Sequence, residues 1–170
     1  SGWNHSLALR SNGSLVAWGA NGGGACNVPL PPLGSWYVDF DAGYWHSVAL
    51  RSDGQVVVWG TTPTGEGNIP ALPAGLHWVG VAAGRQTTYL RRSDGQIIAL
   101  GSNSNGQCDV PQPPPGVAYV GAAAGSFHGV ARRTDGRIVT WGYTPAWNGS
   151  PPLPPPGASS RQVCTGDAYY

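Results

Sequence analysis

Three histidines, His5, His46 and His128, recur at one interval or twice that interval, and three acids, Asp53, Asp94 and Asp135, recur at the same interval with Asn12 completing their column. Imidazole is both the commonest metal ligand and the side chain that titrates nearest neutrality, and carboxylates complete many metal and acid–base sites. Ser6 and Ser47 directly follow two of the histidines, which raises a nucleophile–base pairing. Cys26 and Cys108 share a third column, whereas Cys164 stands opposite Asp41, Ala82 and Ala123. Whether any of these sets can meet depends on the elements that carry them.

The interval is 41 residues, and it runs through the whole chain without an insertion: Gly2, Gly43, Gly84, Gly125 and Gly166 obey it, as do Gly13, Gly54, Gly95 and Gly136 and the proline column Pro29, Pro70, Pro111 and Pro152. A period in this range marks a repeat architecture. Within one unit, HSVALR and QVVVWG are two apolar runs separated by a short Ser-Asp-Gly turn, the pattern of an antiparallel hairpin with glycine at its left-handed position. The segments CNVP, GNIP and CDVP offer a third, very short strand stopped by proline. After a proline-rich connection, WYVDFDAG or HWVGVAAG gives a fourth that feeds the next hairpin. No stretch spaces apolar residues as a helix does, and 27 glycines with 16 prolines would break one. The expectation is an all-β chain, residues 1–170 forming a single β-propeller region of four-stranded antiparallel blades. Its repeats span 2–42, 43–83, 84–124 and 125–165, with the start of a fifth.

That architecture disfavours the candidate chemistry. Equivalent atoms of neighbouring blades lie on the order of 10 Å apart, whereas a zinc ion needs its ligands about 2 Å from a common centre. The histidines are therefore expected to bond backbone groups inside their own blades, with no metal and no cofactor. The turn carboxylates are explained by Asx-Gly turns. Neighbours along a strand point to opposite faces, so His46 cannot use Ser47, nor His5 Ser6. The glycine-rich stretch at 19–24 precedes no helix and so fits neither a dinucleotide fingerprint nor a phosphate loop. No enzyme is expected. Cys26 and Cys108 lie two units apart, beyond the ~7 Å reach of a disulfide. Cys164, in an alanine-like slot, reads as a small buried side chain, so three free thiols are expected. Trp18, Trp59 and Trp141 precede a constant glycine and read as packing between blades.

Charged residues make up only 10% of the chain, all nine basic ones are arginine, and the net charge is +1. Scattered arginines give no stripe for phosphates, so nucleic acid is not the expected partner. No apolar run reaches the ~18 residues of a membrane span. Asn4, Asn12 and Asn148 match the glycosylation acceptor pattern, which matters only in a eukaryotic secretory setting. With no methionine and a start inside a repeat, the sequence reads as a processed or excerpted piece of a longer product.

The phrases AGYWHSVALRSDGQVVVWG and NGQCDVP resemble the repeats of the regulator of chromosome condensation superfamily, whose unit carries A-G-x-x-H-S-L-A-L, a D-G turn, V-x-x-W-G and G-Q. The short period and the closing Val-Pro are most similar to a bacterial branch that includes a propeller-type β-lactamase inhibitor; the compartment is left open, with an extracellular or cell-surface setting favoured. Repeat three departs from the pattern with Thr87 for the histidine and Leu100 for the tryptophan, and repeat four has Ser150-Pro151 where the others have Asn-Val, Asn-Ile or Asp-Val. The resemblance implies seven blades, which at this period take about 287 residues. Four units leave raw blade faces, so self-association, a partner or further repeats are expected.

Between the constant Gly and the His column lie two residues without common character: Trp3-Asn4, Tyr44-Trp45, Arg85-Gln86 and Ser126-Phe127. A fixed frame with variable loop residues is how a propeller presents a binding face. These eight residues are the expected ligand-binding set, and the expected function is a non-catalytic binding or scaffold module for a protein or surface ligand. In the inhibitor, the resemblance implies, this face carries aromatics that grip the enzyme. The alternatives are inhibition of a β-lactamase-like enzyme, a lectin, or a small-GTPase exchange factor. The exchange factor is disfavoured by the absence of a long inserted loop, and the lectin by the lack of Trp in repeat three.

Overall fold

The hairpin turns set the repeat. At 51–55 the Arg51 amide donates to the Gln55 carbonyl and the Gly54 amide to the Arg51 carbonyl, with Gly54 at φ +82°, a left-handed conformation open to glycine at no steric cost. The Asp53 Oδ1 accepts from the Gln55 amide at 3.1 Å, as Asn12 does from Ser14. Each turn acid also pairs with an arginine two residues earlier: Arg51 with Asp53, Arg92 with Asp94 and Arg133 with Asp135. These carboxylates are thus consumed in turn chemistry.

The computed structural model describes residues 2–143 and 163–164. All regular structure among them is β: β1 His5–Leu9, β2 Leu15–Gly19, β3 Tyr37–Ala42, β4 His46–Arg51, β5 Val56–Gly60, β6 Trp78–Ala83, β7 Thr87–Arg92, β8 Ile97–Gly101, β9 Tyr119–Ala124, β10 His128–Arg133 and β11 Ile138–Gly142. They form antiparallel sheets in the orders β1-β2, β3-β4-β5, β6-β7-β8 and β9-β10-β11. Each full sheet therefore joins the last strand of one sequence repeat to the hairpin of the next. The Val-Pro or Ile-Pro segment enters the blade without a ladder of its own and lays Val28, Ile69 and Val110 against the cores. The chain is a segment of a β-propeller.

Successive blades meet along apolar seams. The first holds Leu7, Leu15, Tyr37, Ala42, Ala49 and Trp59, the second Val48, Leu50, Trp78, Ala83 and Leu90, and the third Ala82, Tyr89, Ile97, Tyr119, Ala131 and Trp141. Hydrogen bonds stitch the same seams. Trp59 Nε1 donates to the Ala25 carbonyl at 2.8 Å and Trp141 Nε1 to the Gln107 carbonyl at 2.9 Å, each acceptor lying one repeat earlier than the indole. Trp18, of the same column, is 55% exposed against 8% for Trp59 and 6% for Trp141. This corrects the expectation of interblade packing at that position: among the described residues no carbonyl takes the Trp18 indole N–H, as Ala25 and Gln107 take those of Trp59 and Trp141.

The histidine column is also corrected. His5 Nε2 lies 2.8 Å from the Ser47 hydroxyl of the next blade and His46 Nε2 lies 3.0 Å from the Thr88 hydroxyl of the blade after that. The column therefore staples blade to blade, where bonds to backbone inside each blade were expected. Ser47 also reaches the Ala25 carbonyl at 2.9 Å. A carbonyl only accepts, so the hydroxyl proton goes to Ala25 and the imidazole of His5 donates to the serine, opposite to the proton flow that activates a nucleophile. Burial holds the pKa of His46 down to about 4 and lowers that of His5 as well.

Repeat three keeps the frame despite its substitutions. The pairing of Thr88 with Leu100 takes the register that Ser47 and Trp59 use. In the last described blade Gly129 stands where the others have Ser or Thr, and a Cβ there would meet the Trp141 ring at 2.3 Å and the Tyr89 hydroxyl at 2.7 Å. The Tyr89 phenol donates instead to the Gln107 carbonyl, at 2.6 Å, and so fills the role of the missing serine. Cys26, Cys108 and Cys164 are all free thiols, and Cys164 is exposed where a buried side chain was expected. Burial raises the Cys108 thiol to about 11, which leaves it protonated and unreactive.

Candidate functional site: an aromatic ladder along the loops

The loops that precede the histidine column, 2–4, 43–45, 84–86 and 125–127, are positioned by their glycines. Gly43 bonds back to the His46 carbonyl through its amide, while its own carbonyl accepts from the Trp3 amide of the preceding loop at 3.4 Å. The Gly84 carbonyl accepts in the same way from the Tyr44 amide at 3.1 Å. A Cβ at Gly43 would stand 2.4 Å from the Gly84 oxygen and 2.8 Å from the His46 ring, and one at Gly84 would stand 2.4 Å from the Gly125 oxygen. Only glycine permits this approach, so the loops step along the seam in register.

That register brings the variable residues together. The Trp3 and Tyr44 rings stack with centroids 4.6 Å apart and an interplanar angle of 22°. Trp45 meets Tyr44 edge-on at 4.7 Å. The Arg85 guanidinium lies 5.1 Å from the Tyr44 centroid and 5.2 Å from that of Phe127, so one cation bridges two rings. Trp3, Tyr44, Arg85 and Phe127 thus form one continuous ladder across four repeats. Trp3 and Trp45 are 39% and 44% exposed; Asn4 is exposed as well, and Gln86, Ser126 and Phe127 are half-buried. The Gln86 carbonyl accepts from the Ser102 amide, tying the loop after β8 to this face, as the Trp45 carbonyl does with Thr61 and the Phe127 carbonyl with Tyr143.

Beneath the ladder lies a cavity of about 440 Å³ whose rim includes Trp3, Tyr44 and Arg85 and whose walls include Ala83, Ala123 and Cys164. Asp41 lines this cavity and Asp39 a second one beside it, a polar pair that sequence reasoning missed. Asp39 and Asp41 of β3 accept from the Val81 and Ala83 amides of β6 at 3.0 and 2.9 Å, bridging adjacent blades along their inner strands. Burial raises both carboxyl pKa values, against the pull of these amide bonds. Two acids at alternate positions of an otherwise apolar strand were the available signal. Among the described residues no three His, Cys, Asp or Glu side chains cluster as metal ligands do, and no helix is long and apolar enough to cross a membrane.

Against this geometry, residues 1–25 and 37–61 match the model of the regulator of chromosome condensation (RCC1) repeat. No curated protein matches the chain. Among solved structures the chain is similar to Prp20p from Saccharomyces cerevisiae, at 21% identity and a TM-score of 0.70 over 84% of this chain and 44% of that one. It is also similar to human WBSCR16, at 19% identity and a TM-score of 0.71, over 86% and 48% of the two chains. The ectodomain of the Arabidopsis thaliana receptor kinase ACR4 gives 22% identity and a TM-score of 0.60, over 91% and 51%. The fold is thus that of a propeller segment, in which residues 1–25 and 37–61 match the regulator of chromosome condensation repeat, and the chain spans about half the length of these structural neighbours.

Proposed function

We propose that this propeller segment is a non-catalytic binding module that docks a protein partner on the face formed by loops 2–4, 43–45, 84–86 and 125–127. The observation that carries the reading is the ladder Trp3, Tyr44, Arg85 and Phe127, with Trp45 edge-on: a contiguous aromatic surface raised on a rigid sheet frame. Tyr, Trp and Arg are enriched at protein interfaces and their hot spots: the two aromatics offer large contact area at low entropic cost, and arginine adds a fork of donors. The neighbours support protein as the partner class, since Prp20p was characterised for its binding to Gsp1p and histones and was solved bound to Kap60. Inhibition of a β-lactamase-like enzyme is one specific form this docking can take.

The test is a displayed peptide library selected on the intact chain and rescreened on the double variant Trp45→Ala, Phe127→Ala. Selected peptides should lose about 30-fold in affinity, or about 2 kcal/mol, on a variant whose melting temperature is retained. Peptides that bind both proteins equally would place docking elsewhere.

A further inference from the structure

We infer that Arg85 reads a single carboxylate on the protein partner, with Tyr44 and Trp45 receiving the apolar group beside it. This rests on the ladder being the docking face. The argument begins with what the guanidinium already has. Tyr44 and Phe127 occupy its two flanks at 5.1 and 5.2 Å, and among the described residues it makes no hydrogen bond and no ion pair. The contrast within the molecule is direct: Arg51, Arg92 and Arg133 each carry an aspartate two residues on, whereas position 87 holds a threonine that is fully buried.

A guanidinium flanked by rings keeps its N–H donors in its own plane, and the group that matches a planar fork of donors is a planar oxyanion taken in bidentate fashion. Stacking also holds the side chain in place before the partner arrives, so less rotamer freedom is lost on binding than for a free surface arginine. Charge selects among oxyanions. The other described arginines, Arg10, Arg51, Arg91, Arg92, Arg132, Arg133 and Arg137, lie in or beside the hairpin turns at the opposite ends of the strands, and the chain has no lysine. One isolated positive charge balances a monoanionic carboxylate and leaves a phosphate dianion half compensated. The exposed rings of Trp3 and Trp45 then favour an acidic residue, or a chain-terminal carboxylate, set beside an aromatic or aliphatic one.

The experiment is a titration of the isotope-labelled chain with N-acetylphenylalanine, with its carboxamide, and with inorganic phosphate, following the Arg85 Nε–H and the Trp45 indole N–H by nuclear magnetic resonance. The acid should move both signals saturably, with the carboxamide weaker by about tenfold or more and phosphate weaker than the acid. Arg85→Gln should abolish the preference for acid over amide, and Arg85→Lys, which keeps the charge and loses the fork, should restore only part of it. Equal responses to acid and carboxamide at Trp45 would overturn the carboxylate assignment while leaving the ladder a docking face. A stronger response to phosphate would overturn the choice of anion, and silence of both signals would overturn the inference outright. The peptide selection decides the docking reading independently of all three.

Discussion

The seams and the ladder use the same residue types for opposite ends. Trp59 and Trp141 are closed in by a neighbouring blade, and each gives its indole N–H to a backbone carbonyl one repeat away. Trp3 and Trp45 pack on Tyr44, which also meets Arg85, and both tryptophans leave a large share of their surface in water. An aromatic whose polar atom is satisfied inside the protein contributes to stability, whereas one whose faces are left to solvent is positioned to contribute to binding. Trp18 lies between the two: it has the seam column's sequence position and the ladder's exposure.

The comparison is broken most easily at the seam. Trp59→Ala should open a cavity between the first two blades and orphan one acceptor site on Ala25, costing about 3–5 kcal/mol in denaturant unfolding. Trp18→Ala, at the same repeat position, should cost far less. Equal losses at the two positions would remove the distinction between covered and uncovered faces.

Acid should attack the seams next. The folded state holds His46 neutral, with its pKa lowered from 6.5 to about 4. Its contribution to stability is therefore fully present above about pH 6.5 and is lost as the pH falls from there through about 4, a change of about 3 kcal/mol. His5 acts in the same direction. Denaturant unfolding measured across that range should show the slope, and His46→Gln should flatten it. A slope that survives the substitution would move the acid sensitivity elsewhere, for example to His5.

At the ladder the signs reverse. Trp45→Ala should leave the melting temperature nearly unchanged and weaken a selected peptide by about 2 kcal/mol, read by calorimetric titration. A large drop in melting temperature would make Trp45 a seam residue in function. The smallest effect belongs to the turn end: Gly54→Ala forces a side chain into φ +82° with no atom to clash against, so it should cost about 1 kcal/mol in stability and nothing in binding.

Much of this was legible in the sequence because the repeat samples the same physics four times. The constant glycines, the Asx turns and the paired apolar runs specify hairpins locally, through φ preferences and side-chain alternation that need no tertiary knowledge. The variable pairs after each loop glycine were also visible as a set, Trp3-Asn4 through Ser126-Phe127. What could not be read was how they meet. The stacking of Arg85 between rings from two other repeats depends on the glycine-to-glycine step between loops, a contact forty-one residues apart in the chain. Asn148 and the closing segment of repeat four lie outside the described residues.

By itself, then, the sequence determined an all-β repeat, its period, its turns and the positions free to vary, since each follows from short-range stereochemistry. Tertiary structure alone decided that His5 and His46 staple one blade to the next, that Tyr89 stands in for a serine missing at Gly129, and that Asp39 and Asp41 bridge inner strands. Each of these is a hydrogen bond across a seam, and a buried polar group takes whichever partner packing brings within about 3 Å, irrespective of its distance along the chain.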